Sequence, residues 1–306
     1  LATGVNRPHK LMLCLAFWAA AMAFFSLGAR AATGAPVGVL VAREIAPYIT
    51  MVTALEVALG RQPVQRFFLD EQGRPFSLEA GQRRLNNPQD FSAVVAVGPE
   101  SLTYLSSSPN HPPLIYAMVL NPPLSSGKES LCGLSLNLPI AGQLQGLRAK
   151  LPGLKHLGVL FDPANNQLWF DQAQVVADQL GLLLQPVVAR RAAELLQLSG
   201  DLDQLDALLF IPDKTVISQA VIQYVIKQAA IRGVPVIGYN QFFLDSGAAL
   251  AFVIDYAEIG RQVAAEVQSL LSGQSCAGEL PPAYELRINQ PIWQALGLPQ
   301  GGGGQP

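Results

Sequence analysis

The chain has 306 residues, half of them hydrophobic and only 14% charged, with 20 basic against 22 acidic side chains for a net charge of −2. That length allows two ordinary domains with a large buried core. The charge balance excludes a nucleic-acid binder that works through a basic face.

The first element is a targeting segment. Arg7, His9 and Lys10 form a basic region ahead of an apolar run from Leu11 to Leu27, broken only by Ser26. Ala29-Arg30-Ala31 then offers a small-x-small cleavage site. The pattern predicts a signal peptide over residues 1–31, cut after Ala31, and a periplasmic location. The alternative is a retained membrane anchor, for which the run is near the lower length limit. Removing 1–31 takes three bases and no acid, which moves the net charge from −2 to −5. Cys14 leaves with it, and its early place in the apolar run is not that of a lipoprotein cysteine. Cys132 and Cys276 remain, and an oxidising compartment permits a disulfide between them.

After the linker 33–36, strands and helices alternate. Strands are expected at Val37–Ala42, Gln65–Leu69, Ala93–Val97 and Leu114–Leu120, with helices following the first (Ile49, Val52, Leu55, Leu59) and at Leu78–Leu85. Residues 121–130 are loop-like and mark a first crossing between lobes. A strand at Gly133–Asn137 precedes a helix carrying Ile140, Leu144, Leu147 and Leu151. His156–Phe161 is a strand, Trp169, Ala173, Val176, Ala177 and Leu180 stripe a helix, and Leu182–Val188 is a strand. A short helix follows at Ala192–Leu198. The strand–helix–strand unit from Leu205 to Asn240 is the clearest in the chain. Leu208–Ile211 is short and apolar enough for a buried parallel strand, and Pro212-Asp213-Lys214-Thr215 is a polar loop. Ile217, Ala220, Val221, Tyr224 and Val225 stripe a helix stopped at Gly233, and Val234–Ile237 is the next strand. Ala248–Val253 is a strand, Ile259 to Leu271 a helix, residues 274–283 another crossing, and Tyr284–Ile288 a final strand before the turn Ile292–Leu296. The two halves alternate alike and read as two similar lobes. Lobe I is expected over 36–125 plus 250–276, and lobe II over 126–249 plus 280–298. The Gly-rich end, 299–306, reads as a disordered tail.

Catalytic chemistry finds little support. The histidines after the leader, His111 and His156, read as surface residues, and the chain has no nucleophile elbow, P-loop or zinc-protease motif. No metal or cofactor pattern is visible. What recurs is polar groups where strands end. Glu44, Glu100, Ser101, Asn121, Asn165, Asn166, Asp213, Lys214, Tyr239, Asn240 and Tyr256 all take such places. Ligands of open α/β sheets bind beyond those ends, so the set forms a candidate ligand site. Taken singly, each Asn or Asp also reads as a turn or helix cap. Asp213 is the hardest to separate.

Several stretches in order carry a resemblance. They are Leu151-Pro-Gly-Leu-Lys-His-Leu-Gly-Val-Leu-Phe-Asp-Pro163, Leu205-Asp-Ala-Leu-Leu-Phe-Ile-Pro-Asp213, Val234-Pro-Val-Ile237, Gly247-Ala248, Asp255-Tyr256, Gly260, Ile288-Asn289 and Ala295-Leu-Gly297. Over roughly 93–298 the chain resembles the ABC-transporter substrate-binding proteins of the type that includes bacterial tryptophan-binding proteins. The resemblance implies two Rossmann-like lobes with parallel sheets, joined by a hinge and crossed three times, the type I periplasmic-binding-protein architecture. It also implies a small-molecule ligand, an amino acid or another small polar or anionic solute, and an ABC permease as partner. The expectations are a monomer without cofactor, catalysis or nucleic-acid partner; a sensory module signalling to a membrane partner such as a kinase is the alternative. Three places depart from the family pattern. Gly98-Pro99-Glu100-Ser101 replaces a Thr-Pro-Ala-type turn, Asn121-Pro122 an Asp-Pro, and Asp213-Lys214 an Asp-Asn. Losing an acid at 121 and gaining a lysine at 214 shift the pocket toward positive charge.

Overall fold

A computed structural model of the chain describes residues 34–77, 85, 90–107, 111–123, 132–197, 199–216, 218–276 and 278–299. The leader, the tail after 299 and, Leu85 apart, the helix expected at Leu78–Leu85 lie outside them.

The first sheet has seven strands. They are β1 (Val37–Val41), β2 (Val64–Leu69), β3 (Pro75–Phe76), β4 (Ala93–Val97), β5 (Leu114–Val119), β6 (Cys132–Ser135) and β12 (Glu279–Leu280), in the order β12-β6-β5-β4-β1-β2-β3. The second has six: β7 (His156–Phe161), β8 (Leu183–Val188), β9 (Ala207–Phe210), β10 (Val236–Gly238), β11 (Leu250–Ile254) and β13 (Tyr284–Ile288), ordered β13-β11-β10-β9-β7-β8. Pairing is parallel except at β3 and β13. The central strands are unbroken apolar runs, and every residue of β1, β4 and β9 is buried. A strand covered on both faces needs that composition.

The covering helices follow from the same chain. On the first sheet α1 (Ala46–Leu59) and α8 (Tyr256–Leu271) pack one face, with Met51, Val52, Leu55, Ile259 and Val263 in the core. The short α2 (Pro99–Ser106) packs the other with Leu102 and Leu105. On the second sheet α3 (Ile140–Lys150), α4 (Pro163–Leu180) and α9 (Gln290–Ala295) cover one face. A 3-10 turn (Ala192–Gln197), α5 (Ser199–Leu202), α6 (Gln219–Ile231) and α7 (Gln241–Asp245) complete this lobe. Leu195, Leu202, Ile222, Val225 and Phe243 bury the sheet's other face. Proline in the first turn opens α1, α2 and α4, where its missing N–H costs nothing. The Asp162 side chain caps α4, and Gly181 ends it in a left-handed conformation. Among the described residues no helix is long and apolar enough to cross a membrane.

The chain passes between lobes at 136–139, after β11 at Ile254–Asp255, and at 281–283. The last two passes are tied together, Asp255 N–H donating to the Ala283 carbonyl at 3.0 Å. These positions correct the expected boundaries. The polar run 121–130 is not a crossing, because β6 returns to pair with β5 in the first sheet. Nor does lobe I resume at 250: β11 lies between β10 and β13 in the second sheet, and its apolar run is buried there. The elements β3, β12 and α7 were not expected from the sequence; two are only two residues long and the third five.

Candidate binding site at the strand ends

In the first lobe Val41 and Val97 are register partners. The turns after β1 and β4 therefore lie side by side. There the Arg43 guanidinium donates to the Glu100 carboxylate, with both side chains substantially exposed. Partial burial works to raise the Glu100 pKa, but the hydrogen bond and charge of Arg43 outweigh it and hold the carboxyl below its usual range. Tyr48, one turn into α1, joins this pair. Its hydroxyl pKa is raised by burial, then by the Glu100 charge, against an opposing effect of Arg43. Gly98 makes the arrangement possible. It sits at φ 92, and a Cβ there would meet the Tyr48 hydroxyl oxygen at 2.8 Å. Tyr256 opens α8 and is close enough for its charge to act on Tyr48; burial raises its own pKa. Two residues near the end of β5 take left-handed backbone without being glycine, Met118 at φ 61 and Asn121 at φ 49. The β5–β6 register shifts between Ala117 and Val119, so this is a bulge that re-aims the strand end.

The second lobe's edge is a closed knot. Asp213 is 4% exposed, and its carboxylate accepts four N–H groups. These are the Asp162 backbone at 2.8 Å, Asn166 Nδ2 at 2.7 Å, Asn165 Nδ2 at 3.2 Å and the Thr215 backbone at 2.8 Å. The Thr215 hydroxyl donates to Asp162 Oδ2 at 2.8 Å. An ionised carboxylate is acceptor-only, and four donors let it be buried without a cation. The knot joins the turn after β7 to the turn after β9. Backbone angles leave helical values at Asn166, φ −131 and ψ 17, where the side chain donates into it. Tyr239 lies near enough for the Asp213 charge to push its hydroxyl further up, burial being the larger cause. Its ring packs on Phe243 at 4.7 Å.

Sequence reasoning placed eleven residues at this site. The structure gathers Glu100 and Tyr256 in one lobe, and Asn165, Asn166, Asp213 and Tyr239 in the other. Lys214 is exposed and makes no ion pair among the described residues. Glu44 is likewise exposed. Asn121 donates its backbone N–H to Asn137 Oδ1, bracing the first crossing. Ser101 is wholly buried, with a hydroxyl that finds no partner among the described residues. Asn240 precedes α7 without capping it, and its Oδ1 is buried and has no partner among the described residues. The helix-cap reading of Asp213 holds for a 3-10 turn, Lys214–Val216, whose Thr215 N–H it accepts, and not for α6, which Ser218 precedes. Sequence reasoning missed Tyr48, the capping Asp162 as part of the knot, and Thr215. An aromatic one turn after Arg43, and a threonine two residues after an aspartate in a turn, were the available signals. Among the described residues one grouping of three metal-ligand types occurs, Cys132, Glu266 and Cys276. Both sulfurs are spent in a disulfide, with the Cα atoms 5.9 Å apart.

Two lobes of mostly parallel sheet, crossed three times and edged with polar side chains, define a type I periplasmic-binding-protein-like fold. The chain belongs to the ABC transporter substrate binding protein family, whose model matches residues 86–297, a class of solute-binding, non-enzymatic proteins. Solved structures share the fold at low identity. A conserved domain protein from Vibrio cholerae is 21% identical with a TM-score of 0.57. An ABC domain from Streptococcus pneumonia in complex with L-Trp is 16% identical with 0.58. The ligand-free, open CD0873 of Clostridium difficile, a substrate binding protein with adhesive properties, is 18% identical with 0.69. Each match covers 87% of this chain and 95% of the other. No curated protein matches.

Proposed function

We propose that this solute-binding protein is exported, captures a small polar molecule between its lobes and hands it to the permease of an ABC importer, with no chemistry of its own. The observation that carries the reading is the pair of polar strand-end edges: Arg43, Tyr48, Glu100 and Tyr256 on one lobe, the Asp213 knot with Lys214 and Tyr239 on the other. Hydrogen-bonding groups and aromatic rings around a cleft suit a small polar ligand. L-Trp in the Streptococcus pneumonia structure supports an amino acid or a solute of similar size. Lys214, a cation with no ion pair among the described residues, supports one carrying an anionic group. A thermal-shift screen of amino acids, small carboxylates, nucleosides and sugars tests this, since a ligand that binds the native state raises the melting temperature by mass action. At least one class is expected to do so, and a flat screen across all four counts against capture. Export is tested by mass spectrometry of the secreted protein, expected to begin at or near Ala32. An intact leader in the membrane fraction would overturn it.

A further inference from the structure

The helix α1 is out of place on a protein surface. Of its 14 residues one is charged, Glu56, and that carboxylate is turned to Arg66 on β2, which donates to both of its oxygens. Met51, Val52, Leu55 and Leu59 face the core. The opposite side carries no charge, although it faces outward. Thr50 and Thr53 are exposed, Ile49, Ala54 and Ala58 half-buried, and Val57 is 77% exposed. Ile45, just before the helix, is 43% exposed. An outward helix face with no charge and an exposed valine is unusual for a surface helix, whose outer side is normally charged or polar. Together with Ala257 and Arg261 of α8 the outward residues of α1, from Ile49 to Ala58, line a groove of about 510 Å³. Its floor is made of small residues because the two helices meet at Gly260, where a Cβ would run into the Met51 carbonyl and the Leu55 nitrogen.

We propose that this outer face of α1 and α8 is the contact between two copies of the chain, joined by a two-fold axis. A two-fold contact is self-complementary, so residues near the axis meet their own symmetry mates and cannot carry like charges. The stripe Thr50, Thr53, Ala54 and Val57 meets that condition over two helical turns. At its border stands one pair of opposite sign, Glu258 and Arg261, bonded at 2.5 Å. Across a two-fold axis such a pair meets the reverse pair of the other copy, so each charge gains a partner. A charged partner would find only the Glu258–Arg261 pair here, whose charges already neutralise each other. Helices with small residues at the contact approach closely, and the Val57 ridge of one copy fits the groove of the other. The helix offers a face roughly 21 Å long at 1.5 Å per residue. This contact replaces the monomer expected from sequence, and it does not rest on the proposed ligand site.

The test is sedimentation equilibrium of the protein purified as the cell makes it, across a wide concentration series. The average mass is expected to rise from one chain toward two. Val57→Asp sets like charges across the axis and should weaken association at least tenfold, with circular dichroism unchanged because the residue is exposed. Thr53→Cys should give a covalent dimer on mild oxidation, whereas Leu168→Cys, exposed on α4, should not. A single-chain mass at every concentration overturns the proposal. So does a dimer indifferent to Val57→Asp that Thr53→Cys cannot trap. A chain that stays monomeric but loses solute uptake with Val57→Asp would assign the face to the permease and equally overturn it.

Discussion

Asp213 holds the second lobe's edge together by accepting hydrogen bonds. Four N–H groups, three from the turn after β7 and one from the turn after β9, converge on one buried carboxylate, so its loss strands donors as well as removing an acceptor. Asp213→Ala is expected to cost about 2–4 kcal/mol of stability, more than a lost helix cap, because buried donors left unpaired carry their full desolvation penalty. Urea denaturation measures it, and a loss under about 1 kcal/mol would contradict the knot. Tyr116 makes a second case. It is 1% exposed, and burial, then the charge of Glu279, pushes its hydroxyl up to about 12. An unfolded tyrosine titrates near 10. The folded state therefore keeps its proton longer, and the resulting stability is present below about pH 10 and lost as pH rises toward 12. In denaturation curves across that window Tyr116→Phe should flatten the decline, and a slope equal to the parent's would count against the assignment.

The pairing of α1 with α8 depends on Gly260, where the second helix lies against the backbone of the first. Gly260→Ala gains helix propensity of up to about 1 kcal/mol, yet overpacking costs about 1–3 kcal/mol. Net destabilisation in a thermal melt is the expected sign; a variant as stable as the parent would show that the helices can part without cost. This contact was invisible in sequence, where Gly260 counted only as part of a family pattern. Strands such as β4 and β9 were legible because a strand covered on both faces must be an unbroken apolar run. The lobe boundaries were misread for a related reason: β6 and β11 show that apolar runs do not say which sheet they join. Of the site, single positions were legible as strand ends, but the Asp213 knot joins turns about fifty residues apart, and only its Asp213–Thr215 bond is local. The disulfide draws on the same long-range placement. Cys132 begins β6, and Cys276 lies three residues before β12, its neighbour across only two register pairs. The bond closes a loop with a sequence separation of 144, and removing it with Cys132→Ser and Cys276→Ser together should cost about 2–5 kcal/mol. Guanidinium unfolding with and without reductant checks this: the parent should weaken on reduction and the double variant should not respond.

Neither lobe is a continuous stretch of chain, because three passes cross between them and two of those are bonded at Asp255 and Ala283. That arrangement favours motion of the lobes as rigid bodies about the crossings, the hinge closure by which ligands are trapped. If closure encloses an anionic solute, the charge that meets it must not already be satisfied. Arg43 is engaged by Glu100, whereas Lys214 stands exposed at the end of β9 without an ion pair among the described residues. Lys214→Ala should therefore leave the melting temperature of the ligand-free protein nearly unchanged, as an unpaired surface cation contributes little to stability. The same change should weaken an anionic ligand about tenfold, a difference of 1.4 kcal/mol, and should reduce the dependence of affinity on salt, since screening acts on the charge that has been removed. Titration calorimetry at two salt concentrations, on the ligand that the thermal screen identifies, reads both effects. An affinity and a salt slope equal to the parent's would place the ligand's charge away from this edge, on Arg43 or on no cation at all, and would leave the exchange at Asp213-Lys214 without a role in specificity.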